Sequence, residues 1–371
     1  MGFMLNFSGP LKTFSVCTAA ASLAAGLLLS AGCNTTSAPG GASQGASSTA
    51  GTGQTSAATV RLAYFPNVTH GVALVGVGRG TFAKALGADT KLETQVFTAG
   101  PAEIEALFAG AVDIGYIGPG PAINGYLKSK GAALKIIAGA ASGGAGLVVA
   151  KDSGITDIKG LAGKHVAIPQ VGGTQDISLR HALMEAGLAP KNKNGTVDVV
   201  QYAPAETETQ FSQKAVDAAW LPEPWVARLE KQGTATLLFD ERDRWPNKQF
   251  ASAVVIVSTK FLNEHPDLVK KFLQAHVESV TWAKANPAEA QKIIGEQIKD
   301  ATKKAIPDDI LKSALSRTDM TYDPLRSSVL TFADWSRQLG YQRDNASALE
   351  GMIDETALNS VLTEQKLAPV K

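Results

Sequence analysis

Strand and helix patterns alternate along the chain from Thr59 onwards. Residues 59–65 form a strand-like run, residues 69–80 have helical spacing, and residues 91–97 alternate with period two as a strand does. Pro101 opens a helical run that ends at Gly110, which is the usual order of helix start and stop signals. Repeated strand–helix–strand units predict an α/β protein with a parallel sheet covered by helices on both faces.

The alternation continues into a second α/β unit and then a helical tail. The predicted elements of this part are helices at 156–161, 174–186 and 224–232, strands at 164–168, 197–202, 215–220 and 250–257, and tail helices starting near Pro266 and Pro287. We therefore predict two α/β lobes with a ligand cleft and a two-segment hinge. Residues 59–150 and 251–371 form lobe 1, residues 151–250 form lobe 2, and the chain crosses near 149–153 and 244–252.

The residues ahead of the folded part have the layout of a bacterial export signal. Residues 13–31 carry no charge and lead through small residues to Cys33, as in a lipobox, although Ser30 stands where an aliphatic residue is usual. We predict a signal peptide at 1–32, lipidation of Cys33 and anchoring to the extracytoplasmic face of the cell membrane. An ordinary transmembrane anchor is the alternative.

A tether follows the predicted lipidation point. Residues 34–58 contain no charged or aromatic side chain and no aliphatic one larger than alanine. Such a segment cannot bury apolar surface, so residues 33–58 are predicted to be a flexible link between a membrane anchor and the folded domain.

Composition excludes several classes of function. The 35 basic and 34 acidic side chains nearly cancel, so nothing favours a nucleic-acid partner. The two cysteines are Cys17 and Cys33, which leaves the folded part without disulfides, thiolate metal sites or cysteine catalysis. The sequence has no phosphate-loop, zinc-helix or nucleophile-elbow motif. We therefore predict a protein that is not an enzyme and has no metal or cofactor.

Four loops carry the candidate chemistry, because each follows a predicted strand and leads into a helix: residues 65–71, 118–122, 170–175 and 220–225. Ligands of open α/β sheets bind beyond the carboxyl ends of strands. Free N–H groups and aligned peptide dipoles at helix starts bind anions without a charged side chain. Taken together, the loops predict a binding cleft for an anion.

These segments resemble the nitrate, sulfonate and taurine branch of the substrate-binding proteins of ABC transporters. The resemblance spans essentially the whole exported domain. It is carried by the end of the first strand and by FTAGPAEIEALFAGAVDIGYIGPGPAI, KGLAGKHVAIPQVGGTQDISLRHALMEAGL and AVDAAWLPEPW. It implies a periplasmic-binding-protein-like fold of type II. It also implies a small anionic ligand, partnership with an ABC permease and its ATPase, and a monomeric state.

The loops and the resemblance together nominate a set of ligand-binding residues: Tyr64, Phe65, Asn67, His70, Gly118, Pro119, Gly120, Pro121, Ser142, Gly143, Gly172, Gly173, Thr174, Gln175, Trp220 and Glu223. Relatives commonly have Asp-Thr where this chain has Pro119-Gly120, and Asp where it has Glu223. A carboxylate beside an anion site requires an explanation: Glu223 points away, pairs with a basic group, or binds the amine of a zwitterion such as taurine.

The expected function is capture of a sulfonate-, taurine- or nitrate-like anion between two lobes for delivery to a permease. An aromatic carboxylate is an alternative ligand, and a lipoprotein sensor is an alternative role. A thiamine-pyrimidine-synthase-like enzyme shares the fold implied here, but it carries a cysteine-rich motif that this chain lacks.

Overall fold

The structure of the protein is a computed structural model that describes residues 58–341 and 349–371. The predicted signal peptide, Cys33 and nearly all of the predicted tether lie outside the described residues. Among the helices that are described, none combines the length and the apolar character needed to cross a bilayer.

Strands and helices alternate as the sequence predicts. The strands are β1 (Ala58–Tyr64), β2 (Thr90–Val96), β3 (Ile114–Ile117), β4 (Leu134–Gly143), β5 (Ala145–Ala150), β6 (His165–Ile168), β7 (Asp198–Gln201), β8 (Ala218–Pro222), β9 (Ala235–Asp240), β10 (Ala251–Ser258) and β11 (Thr318–Met320). The helices are α1 (Gly71–Gly78), α2 (Thr81–Leu86), α3 (Gly100–Phe108), α4 (Pro119–Lys128), α5 (Thr174–Glu185), α6 (Pro204–Ser212), α7 (Trp225–Gln232), α8 (Thr259–Glu264), α9 (Pro266–Ala285), α10 (Pro287–Thr302), α11 (Asp308–Ser316), α12 (Arg326–Gln338) and α13 (Thr356–Glu364).

The strands form two mixed sheets, which corrects the expectation of parallel ones. The first sheet has the order β11-β4-β10-β3-β1-β2 and the second β7-β6-β8-β5-β9. In the first sheet β1 is parallel to β2 and β3, but β10 is antiparallel to β3 and β4. In the second, β6 is parallel to β7 and β8, but β5 is antiparallel to β8 and β9. β11 is also antiparallel to β4, so β10 and β11 are the reversed strands of the first sheet and β5 is that of the second. β5 and β10 each follow a crossing between the sheets.

The first crossing lies earlier in the chain than predicted. β4 ends at Gly143 in the first sheet and β5 begins at Ala145 in the second, so the chain changes sheet at Gly143–Gly144 and not at 149–153. Residues 145–150, predicted as part of lobe 1, therefore belong to the second sheet. Both glycines have positive φ, 75° and 73°, and Cβ atoms there would lie 2.6 Å from the Arg317 oxygen and 2.4 Å from Thr318 Oγ1. Only glycine suits this turn.

The apolar cores lie on both faces of each sheet. Residues 251–257 of β10 are all buried, because helices cover the first sheet from both sides. The second sheet has smaller apolar clusters on its two faces, one around Leu147 and Leu179 and the other around Val148 and Leu229. Below, lobe 1 means the first sheet with its helices, and lobe 2 means the second sheet with its helices.

The carboxyl-terminal helices contact both lobes. Two of them begin at Pro266 and Pro287, as the sequence predicts, because proline fits the first helical turn. Helix α9 packs on α1 and α2 of lobe 1, whereas α11 contacts α7, and α12 contacts α5, of lobe 2. The tail therefore helps to set the relative position of the two sheets.

Candidate ligand-binding site

A cavity of about 50 Å³ lies between the two sheets, beyond the carboxyl ends of their parallel strands. The loops after β1, β2 and β3 form one side, and the loops after β6 and β7 form the other. This is where ligands bind in open α/β sheets. We call it the head cavity, and its lining residues are Phe65, Asn67, Thr69, His70, Thr98, Ala99, Gly100, Gly118, Pro121, Pro169, Gln170, Gly173, Thr174, Gln175, Pro204, Pro222 and Ser252.

The starts of α4 and α5 meet at this cavity. The backbone N–H of Gly120 donates to Thr174 Oγ1 over 3.2 Å. A Cβ on Gly118 would lie 2.2 Å from the same hydroxyl oxygen, and one on Gly120 would lie 3.1 Å from the Thr174 nitrogen. The side chain of Asn124 adds a further bond between the lobes, from Nδ2 to the Gly172 oxygen at 3.1 Å. Glycine at 118 and 120 is therefore what lets the two helix starts approach.

His70 is a neutral hydrogen-bond donor in the wall of the head cavity. Its Nδ1 accepts from the backbone N–H of Phe65 over 3.1 Å, so the ring proton of the neutral form is on Nε2. Burial lowers the pKa of His70 to about 3, which keeps the ring uncharged near neutral pH. The Phe65 ring stacks on it, with 4.3 Å between centroids.

The other polar groups of the head cavity are also neutral. Asn67 Oδ1 accepts from Thr69 Oγ1 at 2.8 Å and from the His70 backbone N–H at 3.3 Å, which fixes this turn. Gln170 Oε1 is buried and has no hydrogen-bond partner in the described part of the chain. No Asp, Glu, Lys or Arg is among the described residues that line the head cavity. An anion here would be held by hydroxyl, amide and imidazole groups and by helix starts.

Half of the nominated residues line the head cavity and half do not. Those in its wall are Phe65, Asn67, His70, Gly118, Pro121, Gly173, Thr174 and Gln175. Pro119, Gly120 and Gly172 are their neighbours in the chain. Tyr64 lies in the lobe 1 core. Ser142 and Gly143 lie at the first crossing, where Ser142 Oγ accepts from the Phe250 N–H at 3.3 Å. Contact of any of these residues with a ligand remains a prediction.

Trp220 belongs to the lobe 2 core and not to the cavity wall. Its side chain is fully buried, and Nε1 donates to Glu241 Oε2 over 2.6 Å. Ser178 Oγ donates to the other oxygen of the same carboxyl group, also over 2.6 Å. Burial raises the pKa of Glu241 to about 7. Trp220, nominated as a ligand-binding residue, is instead part of a buried cluster with Glu241 and Ser178.

Glu223 is a connection between the lobes, which selects one of the three explanations given above. Its Oε1 accepts from Arg317 Nε at 2.6 Å, and its Oε2 accepts from the Ala227 N–H at 3.0 Å. Burial raises the pKa of Glu223, and the Arg317 charge opposes that shift. Its backbone bonds to Gly144 and to Val68. Glu223 pairs with a basic group of the tail and is absent from the cavity lining.

Several cavity residues were not nominated individually from the sequence: Thr69, Thr98, Ala99, Gly100, Pro169, Gln170, Pro204, Pro222 and Ser252. Of these, Thr69, Gln170 and Pro222 lie within three of the four loops that the sequence indicated. Residues 98–100 lie between β2 and α3, and Pro204 opens α6 after β7. Both have the strand–loop–helix signal used for the other four loops. Ser252 lies within β10, and only the three-dimensional fold brings that strand to the cavity.

Comparison with known proteins identifies relatives of the chain. A model described as the NMT1-like family matches residues 53–296. A binding protein of Brucella abortus is 32% identical over 208 residues, which are 56% of this chain and 62% of that protein. The chain thus matches less than two thirds of that relative's length. A Bacillus subtilis protein named as an aliphatic-sulfonates-binding protein is 27% identical over 295 residues, covering 78% of this chain and 85% of the relative.

The fold is that of the periplasmic binding proteins, as the resemblance implies. The crystal structure of the periplasmic nitrate-binding protein NrtA from Synechocystis superposes with a TM-score of 0.70. The match covers 82% of this chain and 88% of NrtA at 16% identity, and at that identity it shows the fold alone.

The Glu223–Arg317 pair leads to a prediction about stability. Arg317→Met should lower the free energy of unfolding by about 3–5 kcal/mol, because it leaves Glu223 buried without a counter-charge. The matched control is Arg326→Met, since Arg326 is more exposed and pairs with Glu355 at 3.1 Å. We expect a change of about 0–1 kcal/mol there. Urea denaturation measures both, and equal losses in the two variants would contradict the buried-pair interpretation.

Proposed function

The chain belongs to the NMT1-like family, and from this membership we propose that it is the extracytoplasmic solute-binding component of an ABC import system. It binds a small organic anion between its lobes and delivers it to a permease and its ATPase. It is a binding protein and not an enzyme, in keeping with the names of its relatives. The closed, ligand-bound form would be the one that the permease recognises.

The observation that carries this proposal is the composition of the head cavity. Helix starts from both lobes reach it, and the side chains that line it are uncharged in the part of the chain that the structure describes. A helix amino terminus favours a negatively charged ligand group. Uncharged side chains do not require a second charged group on the ligand. Glu223 is committed to Arg317, so it supports no zwitterion-binding role.

Calorimetry tests the proposed ligand class. The panel is nitrate, methanesulfonate, taurine and benzoate, with dimethyl sulfone as a neutral analogue of methanesulfonate. At least one anion should give a saturable heat, whereas dimethyl sulfone should give none because it carries no charge. Protein that is folded by circular dichroism but binds no anion would refute the proposal, as would equal binding of sulfone and sulfonate. Loss of uptake of that anion on gene deletion separates an importer from a sensor.

Thr174→Val tests whether the helix starts hold the anion. The variant removes the hydroxyl at the meeting point of α4 and α5 and should weaken anion binding by about 1–3 kcal/mol. Thr196→Val is the matched control, because Thr196 is exposed and lies outside the head cavity. Calorimetry on both variants should give a loss for Thr174→Val alone. The same loss in both would mean that the anion binds elsewhere.

Membrane attachment through Cys33 is the second part of the proposal. It is supported by the apolar segment and small residues that precede this cysteine. In cells given labelled palmitate, the wild-type protein should carry the label and sediment with membranes. Cys33→Ala should lose both properties, because it removes the thiol that is acylated. If the variant stays in the membrane fraction without label, residues 13–31 act as a transmembrane anchor instead.

A further inference from the structure

A second cavity, of about 220 Å³, lies beside the head cavity. It is lined mainly by apolar side chains, and those that carry the argument come from four places in the chain. Pro66 follows β1, Ala205 and Trp225 lie at the starts of α6 and α7, and Ile298 and Ile306 flank the end of α10. A cavity of about 150 Å³ is enough to hold a benzene molecule. We call this space the apolar cavity.

The two cavities are direct neighbours. Phe65, Asn67, Thr98 and Pro204 line both of them, so the two spaces adjoin at these residues. A compact anionic group in the first would therefore place its substituent next to the second. The head cavity alone, at about 50 Å³, has room only for a small group.

The charges around the apolar cavity do not suit a positively charged group on the ligand. In the described part of the chain its two cations are Arg228, which pairs with Glu208 at 2.9 Å and lies 5.7 Å from the ring centre of Trp225, and Lys304, which is exposed to solvent. None of the described residues that line either cavity is Asp or Glu, so an ammonium group would find no carboxylate there. An uncharged, apolar substituent is the chemistry that this space accepts.

We propose that the apolar cavity is the subsite for the substituent of the bound anion. The ligand is then an organic monoanion with an aliphatic or aromatic group of several carbons, and not nitrate or a zwitterion such as taurine. This inference rests on the proposed function, since it requires the anionic group to lie in the head cavity. It gives the carboxyl-terminal tail, through Ile298 and Ile306, a part in choosing the ligand.

A chain-length series tests the inference. Calorimetry with n-alkanesulfonates from methane- to hexanesulfonate should show affinity rising about fourfold for each methylene that becomes buried. Taurine should bind more weakly than propanesulfonate, because its ammonium group loses water without gaining a partner. If methanesulfonate binds and longer chains bring no gain, this inference is wrong while the proposed function stands. If no sulfonate and no nitrate binds, the proposed function itself fails.

Variants show where the substituent lies. Ala205→Trp fills the apolar cavity from an exposed position in the first turn of α6, so the gain with chain length should disappear. Trp225→Ala should reduce the gain per methylene, whereas its matched control Trp282→Ala, a partly buried tryptophan outside both cavities, should not. An unchanged gain in Ala205→Trp would overturn the assignment.

Discussion

Two helix amino termini face each other across the lobes, and the head cavity depends on this contact. Both helices, α4 and α5, direct the positive ends of their dipoles towards it. In the first turn of α4, Pro119-Gly120-Pro121, Gly120 alone carries an N–H group, and that group donates to Thr174 Oγ1. Like partial charges repel, so the arrangement favours a negative group between them. The Thr174 hydroxyl reduces the repulsion by accepting from the Gly120 N–H, and glycine at 118 and 120 permits the approach. The same few residues thus serve both lobe closure and anion affinity.

Full charges join the lobes at a different place from the one where the ligand is proposed to bind. Glu223 and Arg317 form their ion pair beside the first crossing, whereas the groups around the head cavity are neutral. Attraction between full charges acts over a long distance and would hold an anion in an open form as well. Helix starts from two lobes surround an anion only when the lobes meet. In the proposed function, this couples binding to closure and release to opening.

The sequence predicts well those features that depend on neighbouring residues. The starts of α9 and α10 follow from their prolines, and β10 follows from its apolar run. It predicts poorly what depends on distant partners. β5 lies in the second sheet because it pairs with β8 and β9, which follow it by many residues. Helix α6 is short and polar, so its sequence lacks the apolar periodicity that would predict a helix. Its start is fixed by Glu206, which accepts from the Ala203 N–H.

The nominated residues divide for the same reason. Residues at helix starts could be predicted to line the cavity because the strand–loop–helix order fixes their position. Trp220 and Glu223 could not be predicted in this way, because their side chains bond to Glu241 and Arg317, which lie later in the chain. Glu241, the partner of Trp220, belongs to the second crossing and ties it to lobe 2. Arg317, the partner of Glu223, ties the first crossing to the tail through its bond with Gly144. Each crossing is therefore held by a hydrogen bond near one of its ends, the first at Gly144 and the second at Glu241.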